Sequence, residues 1–266
     1  MLRMPRKKPT SAGSQKLARS ARNETGAETG PPAQSRGSQS AAIALALDAI
    51  PKGEGGRFVI GGASGKGKTW FTIKFIKEMQ RRRICTTAVI HDVKDPERPQ
   101  YEGKLVHSVA EARRTLVEEA PDFIVCRHGM SGEDAAGLVK DAAESGEHCA
   151  FLGDELTPLL RVNQDTLEPT PRVFCGSALV WLQLQGRGPG ASSIILLQMP
   201  SHMPGSALDN ATAHVFFGLG GRSLDYSLDL RLVPKEAASL LTRMDRGECI
   251  VLFTDRAWDG VIYGPN

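Results

Sequence analysis

With 266 residues, 41% of them hydrophobic and 6% aromatic, the chain is long enough for one large α/β domain or two small ones. No stretch approaches the roughly twenty apolar residues of a membrane span, and the basic N-terminus is not followed by the apolar segment of a secretory signal. The formal charge of +3 is unevenly spread: residues 1–40 hold eight basic and two acidic residues, a net +6, and leave the remainder at −3. The five cysteines (Cys85, Cys126, Cys149, Cys175 and Cys249) are scattered with no C-x-x-C pair. That fits a reducing cytoplasm and argues against a zinc site.

In chain order, Met1 to Ser40 is polar and short of large apolar residues, so it cannot bury enough surface to fold alone. It is expected to be a disordered basic tail, acting either as a solubilising leader or as an arm that touches nucleic acid or anionic lipid. Residues 41–266 are then the folded domain. Ala41 to Ala49 is a short helical candidate stopped by Pro51. Arg57 to Ile60 is a short apolar strand, and Trp70 to Met79 carries apolar residues at helical spacing. Between them lies Gly62-Ala63-Ser64-Gly65-Lys66-Gly67-Lys68-Thr69, which fits the phosphate-loop pattern G-x-x-x-x-G-K-[ST]. Strand, glycine loop and helix form the context this pattern needs. Glycines let consecutive N–H groups curl inward toward phosphate oxygens, and the helix N-terminus adds its partial positive charge there. Lys68 can reach the β- and γ-phosphates, the Thr69 hydroxyl can ligate Mg²⁺, and the binding set extends through Trp70 at the helix start.

Further strands are expected at Thr87–Ile90 and Asp122–Cys126, with helices beginning at Ser108, where Glu111 completes a capping-box pattern, and running from Glu133 to Ser145. Cys149 to Gly153 is a continuous apolar run followed by Asp154 and Glu155. A buried parallel strand reads that way, and its C-terminal end is where an open α/β sheet places ligands. In the Walker B role, Asp154 would hold Mg²⁺ through water and Glu155 would orient or deprotonate the attacking water. Arg161 to Pro171 is expected as a polar loop and Arg172 to Gln185 as a helix. Gly186 to Gly190 is too rich in glycine and proline for regular structure. Ser193 to Gln198 is a buried strand whose terminal Gln198 would reach a γ-phosphate and its attacking water if this strand neighbours Asp154. Ala213–Phe217 is a strand, Pro234–Thr242 a helix, and Glu248–Phe253 with Gly260–Tyr263 a closing hairpin. Alternating strands and helices imply a mostly parallel central sheet with helices on both faces.

The order of these elements resembles the FtsK/HerA superfamily of DNA-pumping ATPases. The glycine loop, the Asp154-Glu155 pair, Gly186-Arg187, and a strand ending in Gln198-Met199-Pro200 follow one another as in that family. The turn Leu240 to Glu248 also looks like the family's entry into its late hairpin, so the resemblance runs from about Arg57 to Phe253. It implies a RecA-like core with a C-terminal β-hairpin, ATP and Mg²⁺ as cofactors, and a homo-oligomeric ring, usually a hexamer, around double-stranded DNA. By the same resemblance Arg187 matches the arginine finger given to a neighbouring subunit's γ-phosphate. A minimal core with a basic tail is similar to the genome-packaging ATPases of tailless viruses with an internal membrane. That implies work in the host cytoplasm and a partner at the capsid vertex or in a membrane. The same compactness suits a plasmid conjugation ATPase, and the glycine loop alone is shared by small-molecule kinases and nucleotide-gated positioning ATPases. Lys94, Arg98 and Lys104, near one loop after a sheet strand, are candidates for DNA contact.

Overall fold

A computed structural model of the protein describes residues 36–93, 100–127, 129–256 and 258–265, which fall within one compact unit. The chain enters through β1 (Arg36–Ser38) and α1 (Gln39–Leu47), then β2 (Arg57–Gly61), α2 (Lys68–Arg81) and β3 (Thr87–His91). It continues through β4 (Lys104–Val106), α3 (Val109–Glu118), β5 (Phe123–Cys126), α4 (Gly132–Glu144) and β6 (Cys149–Gly153). A two-stranded hairpin, β7 (Leu160–Val162) and β8 (Pro169–Phe174), leads into α5 (Ser177–Leu184) and β9 (Ser192–Leu197). The last third holds α6 (Gly205–Asp209), β10 (Ala213–Phe217), α7 (Arg222–Asp229), α8 (Lys235–Leu241), β11 (Cys249–Leu252) and β12 (Ile262–Gly264).

Ten strands form one sheet in the order β1-β12-β11-β10-β2-β9-β6-β3-β5-β4. Pairing is parallel from β10 through β4, while β11 runs antiparallel to both β10 and β12 as the closing hairpin. The sheet is buried on both faces, its central strands are apolar at most positions, and alternate side chains feed opposite layers. Val59, Val89, Ile124, Phe151 and Ile195 pack under α3, α4, α5 and α6. Phe58, Ile60, Ile90, Leu152 and Ile194 pack under α1 and α2, where Phe58 meets Phe75 edge-on with ring centroids 4.7 Å apart. A third cluster seats α7 and α8 against Phe216, Ile250 and Leu252.

Local chemistry sets the helix starts. Ser131 caps α4 in a reciprocal box: its hydroxyl accepts from Asp134 N, and the Asp134 carboxylate accepts from Ser131 N at 2.8 Å. Ser108 caps α3 through Glu111 N, but the Glu111 carboxylate reaches one residue further out, to His107 N at 2.9 Å.

Three expectations are corrected. The folded domain begins before residue 41: Arg36–Ser38 pairs with β12 and Gln39 opens α1. Residues 1–35 of the expected tail lie outside the described residues. The polar loop at Arg161–Pro171 is instead the β7–β8 hairpin, and Arg172–Phe174 is strand rather than helix. Leu160 and Phe174 face each other and bury, which closes the hairpin, and Arg172 sits at φ +66°, a value no helix accepts. The short helices α6 and α7 were not expected.

Candidate nucleotide site

The phosphate loop spans the exit of β2 and the entry of α2. Gly65 and Gly67 stand at φ +74° and +100°, a region costly for any residue with a Cβ, and Gly67 is the residue from which α2 starts. Backbone bonds tie the loop to the strands on either side: Gly62 N donates to Leu197 O of β9 and Ala63 N to Gly218 O just past β10. The Lys68 ammonium curls over the loop and donates to the carbonyls of Gly62 and Ala63, at 2.7 and 2.9 Å. Trp70 follows, half exposed, with Lys74 Nζ 3.5 Å above its ring.

Sheet order assembles the rest. β2, β9 and β6 are consecutive neighbours, all parallel, so their C-terminal ends lie side by side. Adjacent strands are about 4.8 Å apart, which puts Gln198, at the end of β9, between the phosphate loop and the Asp154-Glu155 pair. All converge on a cleft of about 580 Å³ lined by Ser64, Gly65, Gly67 to Trp70, Asp154, Glu155, Gln198 and Arg246. Asp154 is buried and Glu155 partly exposed.

Two features of the cleft were invisible in sequence. Tyr101, which follows β3, is buried, and its hydroxyl donates to Asp154 Oδ1 at 2.6 Å. Burial, reinforced by the Asp154 charge, pushes the phenol far above its ordinary range, so it stays a donor. Beside it Asp92 and Arg127, at the ends of β3 and β5, form a buried ion pair of 2.7 Å. The second feature is a clasp. The turn Met244–Glu248 lies on the loop, with Lys66 Nζ donating to Met244 O at 2.6 Å and Gly247 N donating to Lys66 O at 2.9 Å. Gln39 Nε2 of α1 closes it from behind by donating to Gly247 O at 2.6 Å. Lys66, expected among the nucleotide-binding residues, therefore directs its side chain to this turn, and Arg246 enters the cleft in its vicinity.

Arg187 is not brought into this cleft. It precedes β9, so it lies at the N-terminal end of strands whose C-terminal ends carry the loop. It is ion-paired to Glu54 at 2.6 Å, and its carbonyl accepts from Gly55 N. Lys104 sits exposed on the edge strand β4, 3.0 Å from Glu119; Lys94 and Arg98 lie outside the described residues.

The donor set fits magnesium. This ion typically takes one or two protein ligands and leaves its other positions to water and phosphate. Thr69 and Asp154, which line the same cleft, are such a pair. Among the described residues no group of three or more His, Cys, Asp or Glu could hold a metal by itself.

No known family model matches the chain, and no curated protein matches it in sequence. Solved structures do. The genome packaging NTPase B204 of Sulfolobus turreted icosahedral virus 2, in complex with AMPPCP, aligns with a TM-score of 0.60 at 14% identity, covering 80% of this chain and 98% of that one. The chain has a P-loop NTPase fold. B204 of Sulfolobus turreted icosahedral virus, a DNA-packaging ATPase, aligns equally well at 0.60 and 16% identity, over 79% of this chain and 98% of that one. VirB4 of Thermoanaerobacter pseudethanolicus aligns at 0.53 and 12% identity, over 79% and 89%.

Proposed function

We propose that the chain is an Mg²⁺-dependent ATPase that moves double-stranded DNA, working as a homo-oligomeric ring at the vertex of a preformed capsid in the host cytoplasm. The observation that carries the reading is the alignment of three neighbouring strand ends. They gather the phosphate loop, Gln198 and the Asp154-Glu155 pair in one cleft, on a fold shared with B204 over most of its length. Phosphates would be cradled by the Gly62–Thr69 backbone and Lys68. Thr69 and Asp154 would hold Mg²⁺, which neutralises charge on the phosphates. Glu155 is placed to orient or deprotonate water, and Gln198 to bond both that water and the γ-phosphate. Arg187, remote from its own cleft, can serve only a neighbour's, which is what a finger given in trans requires. DNA contact falls to residues exposed on the ring and to the basic residues before Arg36.

Hydrolysis measured with and without long double-stranded DNA tests the reading. DNA should stimulate the rate. Lys68→Ala should abolish hydrolysis and weaken binding, while Glu155→Gln should keep binding and lower the rate by about 10²–10⁴. Removing residues 1–35 should leave an active ATPase with a flatter salt dependence of DNA affinity, because fewer counterions are released. DNA-independent hydrolysis by a monomer would overturn the motor and leave a kinase or a positioning switch. Stimulation with no capsid partner would favour plasmid transfer.

A further inference from the structure

We propose that Tyr101 is a positioning residue for the magnesium of this site, holding Asp154 in the orientation the metal needs; the inference rests on the nucleotide-hydrolysing reading above. Tyr101 and Asp154 are 53 residues apart in sequence, and each is only 3% exposed. The phenol oxygen meets Asp154, an expected metal ligand, directly. A phenol has a single proton to donate and lone pairs with which to accept. Its proton goes to Asp154 Oδ1 at 2.6 Å.

By donating to one oxygen of Asp154, Tyr101 fixes the rotation of the carboxylate and leaves the other oxygen's direction determined. Groups that orient metal ligands in this way commonly account for a 10–100-fold difference in metal affinity. The hydroxyl is also separable from the packing. The Tyr101 ring belongs to the apolar cluster that includes Phe123 and Ile90, and a phenylalanine fills the same volume.

The test is Tyr101→Phe in the full chain. Binding of a non-hydrolysable ATP analogue is measured by calorimetry, first in EDTA and then across a Mg²⁺ titration. Bound Mn²⁺ is followed by electron paramagnetic resonance. Metal-free nucleotide affinity should stay within about twofold, while the apparent affinity for Mg²⁺ falls about 10–100-fold and the Mn²⁺ signal weakens with it. Melting curves without nucleotide verify the fold, and Tyr101→Leu takes the same titration should the phenylalanine variant not fold. Unchanged metal affinity in the variant overturns the proposal. Tighter metal binding overturns it too, and would make the phenol a plug. If the parent protein binds no nucleotide, or binds it without regard to Mg²⁺, the ATPase reading itself falls, and that outcome is read on the parent alone.

Discussion

The two ends of the central strands are built on different terms. At the C-terminal ends, polar groups are buried together: the Tyr101–Asp154 hydrogen bond and the Asp92–Arg127 pair. At the N-terminal ends, Arg57 spends its Nε on the Leu182 carbonyl, and the Arg187–Glu54 pair stays partly in solvent. Desolvating an ion costs several kcal/mol even after relaxation, and apolar side chains of the same size would often stabilise a core better. Arg57 carries part of that cost at the N-terminal end, where burial lowers its pKa, but the buried ion pair and the Tyr101–Asp154 bond both lie at the end that holds the phosphate loop. The other end is quiet within one protomer, and any role it has is directed outward.

The largest expected effect breaks the comparison. On the proposed function, Arg187→Ala should bind ATP normally yet lose about a thousandfold or more in hydrolysis, because a finger given in trans would act on a neighbour's phosphate. Mixing it with Lys68→Ala subunits, which carry a good finger and a dead site, should restore activity. Full DNA-stimulated activity in pure Arg187→Ala would leave the N-terminal end without a catalytic part.

A buried titratable group that serves neither end offers the next test. His214 lies in the middle of β10, 2% exposed, and burial lowers its pKa to about 4, only partly offset by the Leu208 backbone. The folded state therefore disfavours the proton. Its contribution is complete above the ordinary value near 6.5 and is lost as pH falls toward 4, by up to about 3 kcal/mol. Urea denaturation across that window should show the decline, and His214→Leu should flatten it. An unchanged slope in the variant would place the acid sensitivity elsewhere.

The smallest effect sharpens the boundary of the C-terminal end. Arg246→Ala should weaken ATP binding by about tenfold, the loss of one charge-assisted contact, while the fold stays intact. Equal affinity by calorimetry would remove the Met244–Glu248 turn from the site and leave it a brace for the loop.

Much of this was legible in sequence where one local rule decides the outcome. Buried parallel strands are apolar at most positions, so β2, β3, β5, β6, β9 and β10 stood out. A loop with glycines at Gly65 and Gly67 declares its own backbone. The place of Gln198 beside Asp154 hung on whether their strands are neighbours, which the β6–β9 pairing supplies and the sequence did not. The β7–β8 hairpin was missed because only Leu160 and Phe174 bury, while Val162 and Val173 face outward, leaving no alternation to read. Tyr101 and the Met244–Glu248 clasp were missed for a different reason. Each acts across a long separation, 53 residues for Tyr101 and 178 for Lys66 to Met244, and neither motif nor period encodes such a meeting.

Gln39 gives the entry segment an unexpected standing. Its side chain is fully buried, and it is connected in series to the phosphate loop: Gln39 to Gly247 O, then Gly247 N to Lys66 O. A pull on the chain ahead of α1 is thus transmitted through two hydrogen bonds to the backbone that would cradle ATP. Strand β1, hydrogen-bonded along β12, acts as the strain relief on that tether. Trimming the chain at residue 41, where composition alone puts the cut, would remove tether and anchor together, and the loop would lose its suspension while every residue of its motif remained in place.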